Sequence, residues 1–255
     1  MKWLKRILIF IIGLVFTAFI AFLLVNEPLP KGETGSAADD FARKMQQVTH
    51  VQAWKNTGAV QFSFGGLGSS RHTLWDKKRH YAQVRWGETY NVLVDINKKQ
   101  GIARKNGKVV PGNKGQELVT KAWKIWVNDS FWLNPIAKAF DPGTSRSLVT
   151  LEDGSKGVMV SYSSGGDTPG DAYLWIVDKN FLPTHWKLWV SIIPVGGVKF
   201  SWENWKTLST GAKVATFHDG LIDVEISNVK GAKDLLGLTN GKDIFAELVQ
   251  RELNY

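Results

Sequence analysis

An α+β fold, mainly antiparallel, is what this 255-residue sequence predicts: one curved, unclosed half-barrel sheet with helices packed in its concave face, preceded by one transmembrane helix. Three observations lead there. Nineteen uncharged residues, Ile7–Val25, follow a start that carries Lys2, Lys5 and Arg6. After one amphipathic helix, the apolar residues switch from a period of about 3.6 to a period of about 2 and keep it for most of the chain. Two later stretches, Gln116–Val127 and Asp243–Leu253, return to helical spacing.

The first element is set by length and charge. Nineteen residues at ~1.5 Å each make a rod of roughly 28 Å, about the thickness of a bilayer's hydrocarbon core. The cations before it orient the chain with its start in the cytoplasm. A cleaved signal peptide is the competing reading, but its apolar core is shorter, ~7–15 residues, and ends at a small-x-small site that Ala21–Val25 lacks. The expectation is therefore a signal-anchor over residues 1–27, a linker over 28–35 and one exported domain over 36–255. The protein would sit in the inner (cytoplasmic) membrane as a single-pass chain, its C-terminal domain in the periplasm and the lipid bilayer its first partner.

The exported elements follow in order. Ser36 stands three residues before Asp39, an N-cap with an acid in the first turn, and Phe41, Met45 and Val48 follow at helical spacing towards Trp54 or Gly58. Val60, Phe62 and Phe64, then Ala82, Val84 and Trp86, then Val92, Val94 and Ile96 alternate with their neighbours, separated by Gly, Asp, Asn and Lys clusters. In Gln116–Val127, Leu118, Ala122 and Trp126 share one line, flanked by Val119 and Trp123; Asn128-Asp129 is expected to end this helix. Strands resume over Ser147–Leu151, Gly157–Tyr162, Ala172–Val177, His185–Ile193, Val198–Trp205, Ala212–Phe217 and Leu221–Val229. A sheet of so many antiparallel strands curls, and helices fill the concavity.

Composition excludes several function classes. With no cysteine there is no disulfide, no thiolate chemistry and no lipid attachment to a cysteine. The net charge is +9, or +6 without the first six residues, and much of it lies at turns such as Asp76-Lys77-Lys78-Arg79, where it keeps sheet ends soluble. No nucleic acid is expected as a partner. No Gly-x-Ser-x-Gly elbow and no helical pair of metal-spaced histidines occurs, so neither a catalytic residue nor a metal nor a cofactor is assigned.

Twelve tryptophans and thirteen phenylalanines dominate the chemistry that remains. Most serve as core filler, since each buries a large area. Trp123, Trp126, Phe131 and Trp132 crowd one inserted helix and its exit, where a lid or cavity wall over a concave sheet would lie. Asp167 and Asp171, in a glycine-rich loop, and His185 are the weaker polar candidates; Asp beside Gly and Pro more often fixes a turn.

The order of helix, meander, inserted apolar helix and longer meander resembles the LolA/LolB-type lipoprotein carriers over about Ser36 to Gly231. The strings Asn128-Asp129-Ser130-Phe131-Trp132-Leu133, Gly165-Gly166-Asp167-Thr168-Pro169-Gly170-Asp171 and Trp186-Lys187-Leu188-Trp189 are similar to those of uncharacterised, membrane-anchored bacterial proteins of this type. The resemblance implies a half-barrel whose mouth is plugged by helices and whose cavity holds acyl chains. It implies a membrane-tethered periplasmic binding protein for an apolar or amphiphilic ligand, a lipid or lipoprotein acyl chain. Two alternatives stand beside it: an envelope hydrolase of glycan or lipid using Asp167, Asp171 or His185, and a non-catalytic scaffold with a self-filled core.

Overall fold

A computed structural model describes residues 25–66 and 69–253, together with Trp3, Arg6, Ile7 and Phe10. Short β1 (Glu33–Thr34) precedes α1 (Ser36–Val48) and α2 (Val51–Asn56). The meander β2 (Ala59–Gly66), β3 (Ser69–Asp76), β4 (Tyr81–Trp86), β5 (Tyr90–Asp95), β6 (Gln100–Lys105) and β7 (Lys108–Val109) leads into α3 (Gly112–Leu133) and a 3₁₀ turn over Pro135–Lys138. The second meander is β8 (Thr144–Thr150), β9 (Lys156–Tyr162), β10 (Ala172–Val177), β11 (Pro183–Trp189) and β12 (Val198–Ser201). Short β13 (Lys206–Thr207), β14 (Lys213–Val214) and β15 (Phe217–His218) precede β16 (Val224–Ala232) and α4 (Ala246–Leu253).

The fold is α+β with antiparallel, unclosed sheets, and it corrects the sequence expectation in three ways. Among the described residues no helix is long and apolar enough to cross a membrane, which overturns the transmembrane helix expected over Ile7–Val25. Most of that stretch lies outside the described residues. Second, the strands divide into a six-stranded sheet, β1-β8-β9-β10-β11-β12, and an eight-stranded one, β15-β16-β2-β3-β4-β5-β6-β7. A single Glu203–Phe217 bridge and the Ser201 N–H to Asp219 O bond (2.8 Å) link their ends. Third, the helices do not all share one face. Val92 and Val94 of β5 pack towards Val119, Ala122 and Trp123 of α3, while Leu93, between them, packs towards Phe245 and Leu248. Side chains alternate across a strand, so the C-terminal segment lies on the opposite face of the eight-stranded sheet from α3.

Two local departures have clear causes. The N-cap of α1 is Gly35, at φ 129°, and not Ser36, which is the first helical residue. The first helix then breaks at His50, held at φ 55°, and restarts as α2. The register also sets a tight approach: Gly101 of β6 faces Val94, and a Cβ there would overlap the Leu93 carbonyl oxygen. Gly101→Ala is expected to cost about 1–3 kcal/mol, the usual cost of overpacking, read from the urea unfolding midpoint.

Candidate functional site

The four aromatic residues singled out in the sequence stand on α3, which runs 22 residues, through Asn128-Asp129, where the sequence was expected to end it, and on to Leu133. Continuation is possible because Asp129 does not compete for the backbone. Its carboxylate is buried and accepts Arg71 Nε at 2.9 Å and Nη2 at 2.7 Å, with Asn128 Nδ2 adding a bond at 2.9 Å. Arg71 comes from β3 and lies over the Phe64 ring at 4.7 Å, so this pair pins the C-terminal half of α3 to the sheet. Burial pushes the Asp129 carboxyl up to about 6, against the opposing pull of Arg71 and Asn128. Helix formation stops at Asn134, where Pro135 removes a donor and Asn134 Oδ1 accepts Ala137 N–H at 3.3 Å.

The structure splits the aromatic quartet in two. Trp123 is buried against β4–β6 and donates its indole N–H to Ile96 O at 3.1 Å, with Lys99 Nζ 3.7 Å from its ring centroid. Trp126 sits edge-on to Trp75, ring centroids 5.2 Å apart. About one and a half turns beyond Trp126, roughly 8–9 Å along the axis, Phe131 and Trp132 enter a different layer. Tyr173, Trp175, Trp186 and Phe200 point inward from β10, β11 and β12 and form one core with Phe62 and Phe64 of β2. Phe131 lies 4.8 Å from Tyr173 and 5.6 Å from Tyr162. Trp132 stands edge-on to Trp186 at 4.8 Å, to Phe200 at 5.0 Å and to His218 at 5.3 Å.

Several polar atoms in this layer are buried without a hydrogen-bond partner among the described residues: the indole N–H groups of Trp175, Trp186 and Trp202, the Tyr162 hydroxyl and Nε2 of His218. A buried donor left unmatched costs about 1–3 kcal/mol, so such a group is informative. His218 is fully buried, and its Nδ1 lies 2.9 Å from Ser201 O. Burial pushes its imidazole down to about 4, although the backbone of Ser201 and, without a hydrogen bond of ordinary geometry, that of Trp132 oppose the shift. At neutral pH the ring is therefore neutral. Nδ1 carries the proton towards Ser201 O, and Nε2 presents a lone pair to the layer. Burial also raises the Tyr162 and Tyr173 phenols, which stay protonated. The layer thus offers donors and one acceptor in apolar surroundings, suited to a molecule carrying carbonyl or hydroxyl oxygens. His218 and Trp202 escaped the sequence reading; a His flanked by aromatic strands gave no spacing signal.

The weaker polar candidates are separated. Asp167 is exposed and pairs with Lys124 at 3.0 Å. Asp171 is buried and accepts the Ser191 N–H at 3.0 Å, the Thr168 hydroxyl at 2.5 Å and the Tyr173 hydroxyl at 3.3 Å, fixing the loop before β10. His185 pairs in register with Ile176 and Ser201, four strand positions from the Ala172–Trp189 pair beside Asp171; burial, then Lys199, lowers its pKa. The structure brings no two of these three together. Among the described residues no group of three or more His, Asp or Glu is arranged to hold a metal ion.

Two surface concavities stand out. One, of about 440 Å³, is walled by Pro28, Leu29, Trp189, Val190 and Ile193; the other, about 230 Å³, lies between Asn204, Thr216 and Asn228. Neither is lined by Trp123, Trp126, Phe131 or Trp132.

No family model matches this sequence, and no curated protein matches it. Among solved structures the chain is similar to a DUF1329 family protein from Desulfovibrio piger, at 12% identity over 78% of this chain and 93% of that one, with a TM-score of 0.42.

Proposed function

We propose that the protein binds an apolar or amphiphilic ligand, a lipid or a lipoprotein acyl chain, in the aromatic layer beneath Phe131 and Trp132, as the sequence resemblance to the LolA/LolB-type carriers implies. The unpartnered polar atoms of Tyr162, Trp186, Trp202 and His218 carry this reading. The faces of the surrounding rings compensate indole and phenol donors only weakly, whereas an ester or carboxyl oxygen would satisfy them and a hydroxyl would donate to His218 Nε2. Phe131 and Trp132 occupy the last turn before Asn134-Pro135, which makes that turn the proposed point of entry. The closeness of the rings favours a second reading, the scaffold whose core is filled by its own side chains: Trp132 alone meets Trp186, Phe200, His218 and Phe64 at 4.8–6.4 Å.

Trp186→Phe and Trp202→Phe separate the two, because each keeps a six-membered ring while removing the N–H together with the fused five-membered ring. Under the binding reading, the full chain titrated with cis-parinaric acid gives saturable binding, and each variant weakens it about fivefold to tenfold, the worth of one hydrogen bond. Stability falls by about 1–3 kcal/mol under either reading, because the smaller ring leaves a void in a buried layer, so the binding titration and not the unfolding midpoint discriminates. Absence of saturable binding to the parent ends the reading and leaves the scaffold.

A further inference from the structure

The groove beside Trp189 lies at one end of the six-stranded sheet, and the chain is fastened there with unusual care. Glu27 N–H donates to Gly196 O at 3.0 Å, Gly196 N–H to Asn26 Oδ1 at 2.8 Å, and Trp189 Nε1 to Glu27 O at 2.8 Å. Lys187 adds an ion pair to Glu27 at 2.6 Å. The seat is shaped for this contact: a Cβ on Gly196 would come within 2.5 Å of Trp189 and 2.7 Å of Glu27 O. Immediately before it, the uncharged stretch Ile7–Val25 ends, with Val25 61% exposed. Around the same groove Leu29 is 52% and Ile192 74% exposed, large apolar side chains that nothing in the fold covers.

We infer that this end of the sheet is a docking face for a lipid bilayer surface, with Leu29 and Ile192 entering the interfacial layer and the groove between them facing the headgroups. Three observations select lipid as the occupant. In the sequence a nineteen-residue apolar stretch ends at Val25, one residue before Asn26 at the rim of the groove. The fastening at Gly196 fixes where the stretch leaves the domain. Leu29 and Ile192 present bare apolar bulk beside a groove with a polar rim, which suits the boundary between acyl chains and headgroups. Surface contact of this kind needs no spanning helix, and it holds whether or not the aromatic layer takes a ligand.

The test uses the absence of cysteine from the chain. Ile192→Cys, Leu29→Cys and Ser155→Cys are each labelled in the full chain with a nitrobenzoxadiazole dye and mixed with phosphatidylethanolamine–phosphatidylglycerol vesicles containing doxyl-labelled lipid. Ser155 is the control. It is exposed in the β8–β9 turn, and the pairings of Ala172 with Ser161 and of Thr150 with Lys156 put it at the far end of the sheet, roughly 17 Å or more from the groove. Quenching at positions 29 and 192 should exceed that at 155 by at least about fivefold, and Ile192→Asp should reduce it at 29. Equal quenching at all three overturns the proposal. So does a dye at 192 that becomes buried without lipid as protein concentration rises, which would make the face a contact between copies. A failed parinaric acid titration leaves this result untouched.

Discussion

Arg71→Met should cost about 3–5 kcal/mol at neutral pH, the usual loss when one partner of a buried ion pair is removed. The size follows from the asymmetry of the pair: the Asp129 side chain is wholly buried, whereas Arg71 keeps 26% of its surface. Deleting the arginine strands a carboxylate in an apolar setting with only Asn128 to bond it. Deleting both charges does not, so Arg71→Met with Asp129→Leu should recover most of the loss. The damage should also be smaller below about pH 6, where Asp129 can take up a proton instead of standing charged. Urea midpoints of the parent, both singles and the double at two pH values measure all of this. A single variant within about 1 kcal/mol of the parent would mean that water reaches the carboxylate.

That pair also shows where sequence reading stops. Alternation along Asn91–Ile96 is local, and β5 was legible because Val92 and Val94 face one layer while Leu93 faces another. The same alternation already held the answer that Leu93, Ile102 and Tyr81 form a second apolar face, but only the register shows that α4 covers it. Asn128-Asp129 reads locally as a helix stop because short polar side chains compete for backbone bonds. Arg71, 58 positions earlier, removes that competition, and no spacing rule connects the two. The candidate site divides likewise. Phe131 and Trp132 were visible as bulk at the exit of a helix, whereas Tyr162, Trp186, Trp202 and His218 reach them through strand pairings that composition does not encode. The groove is the extreme case, assembled from residues 26–29, 169–170 and 189–196, whose contacts span about two thirds of the chain.

The pH dependence of stability should carry two opposed contributions of about 3 kcal/mol each, and single substitutions should expose them one at a time. His218 is held near 4 in the folded chain, below its ordinary 6.5, so the unfolded chain binds the extra proton between those values. Its contribution is complete above about pH 6.5 and lost as pH falls towards 4. Asp129 is held near 6, above its ordinary 3.8, so here the folded chain binds the extra proton. Its contribution is complete below about pH 3.8 and lost as pH rises through 6. In the parent the two slopes oppose each other across the shared window and largely cancel. In His218→Gln the imidazole slope is gone while a donor for Ser201 O is kept, so stability should fall as pH rises from 4 to 6. In Asp129→Asn the carboxyl slope is gone, and stability should fall as pH drops from 6.5 to 4. The quantity to plot is the difference in urea unfolding free energy between parent and variant across that range, which removes the surface groups common to both. Parallel profiles would show that neither side chain is as sequestered as its burial implies. They would also remove the reason for a neutral His218 whose Nε2 lone pair waits, unpartnered, beside Trp132.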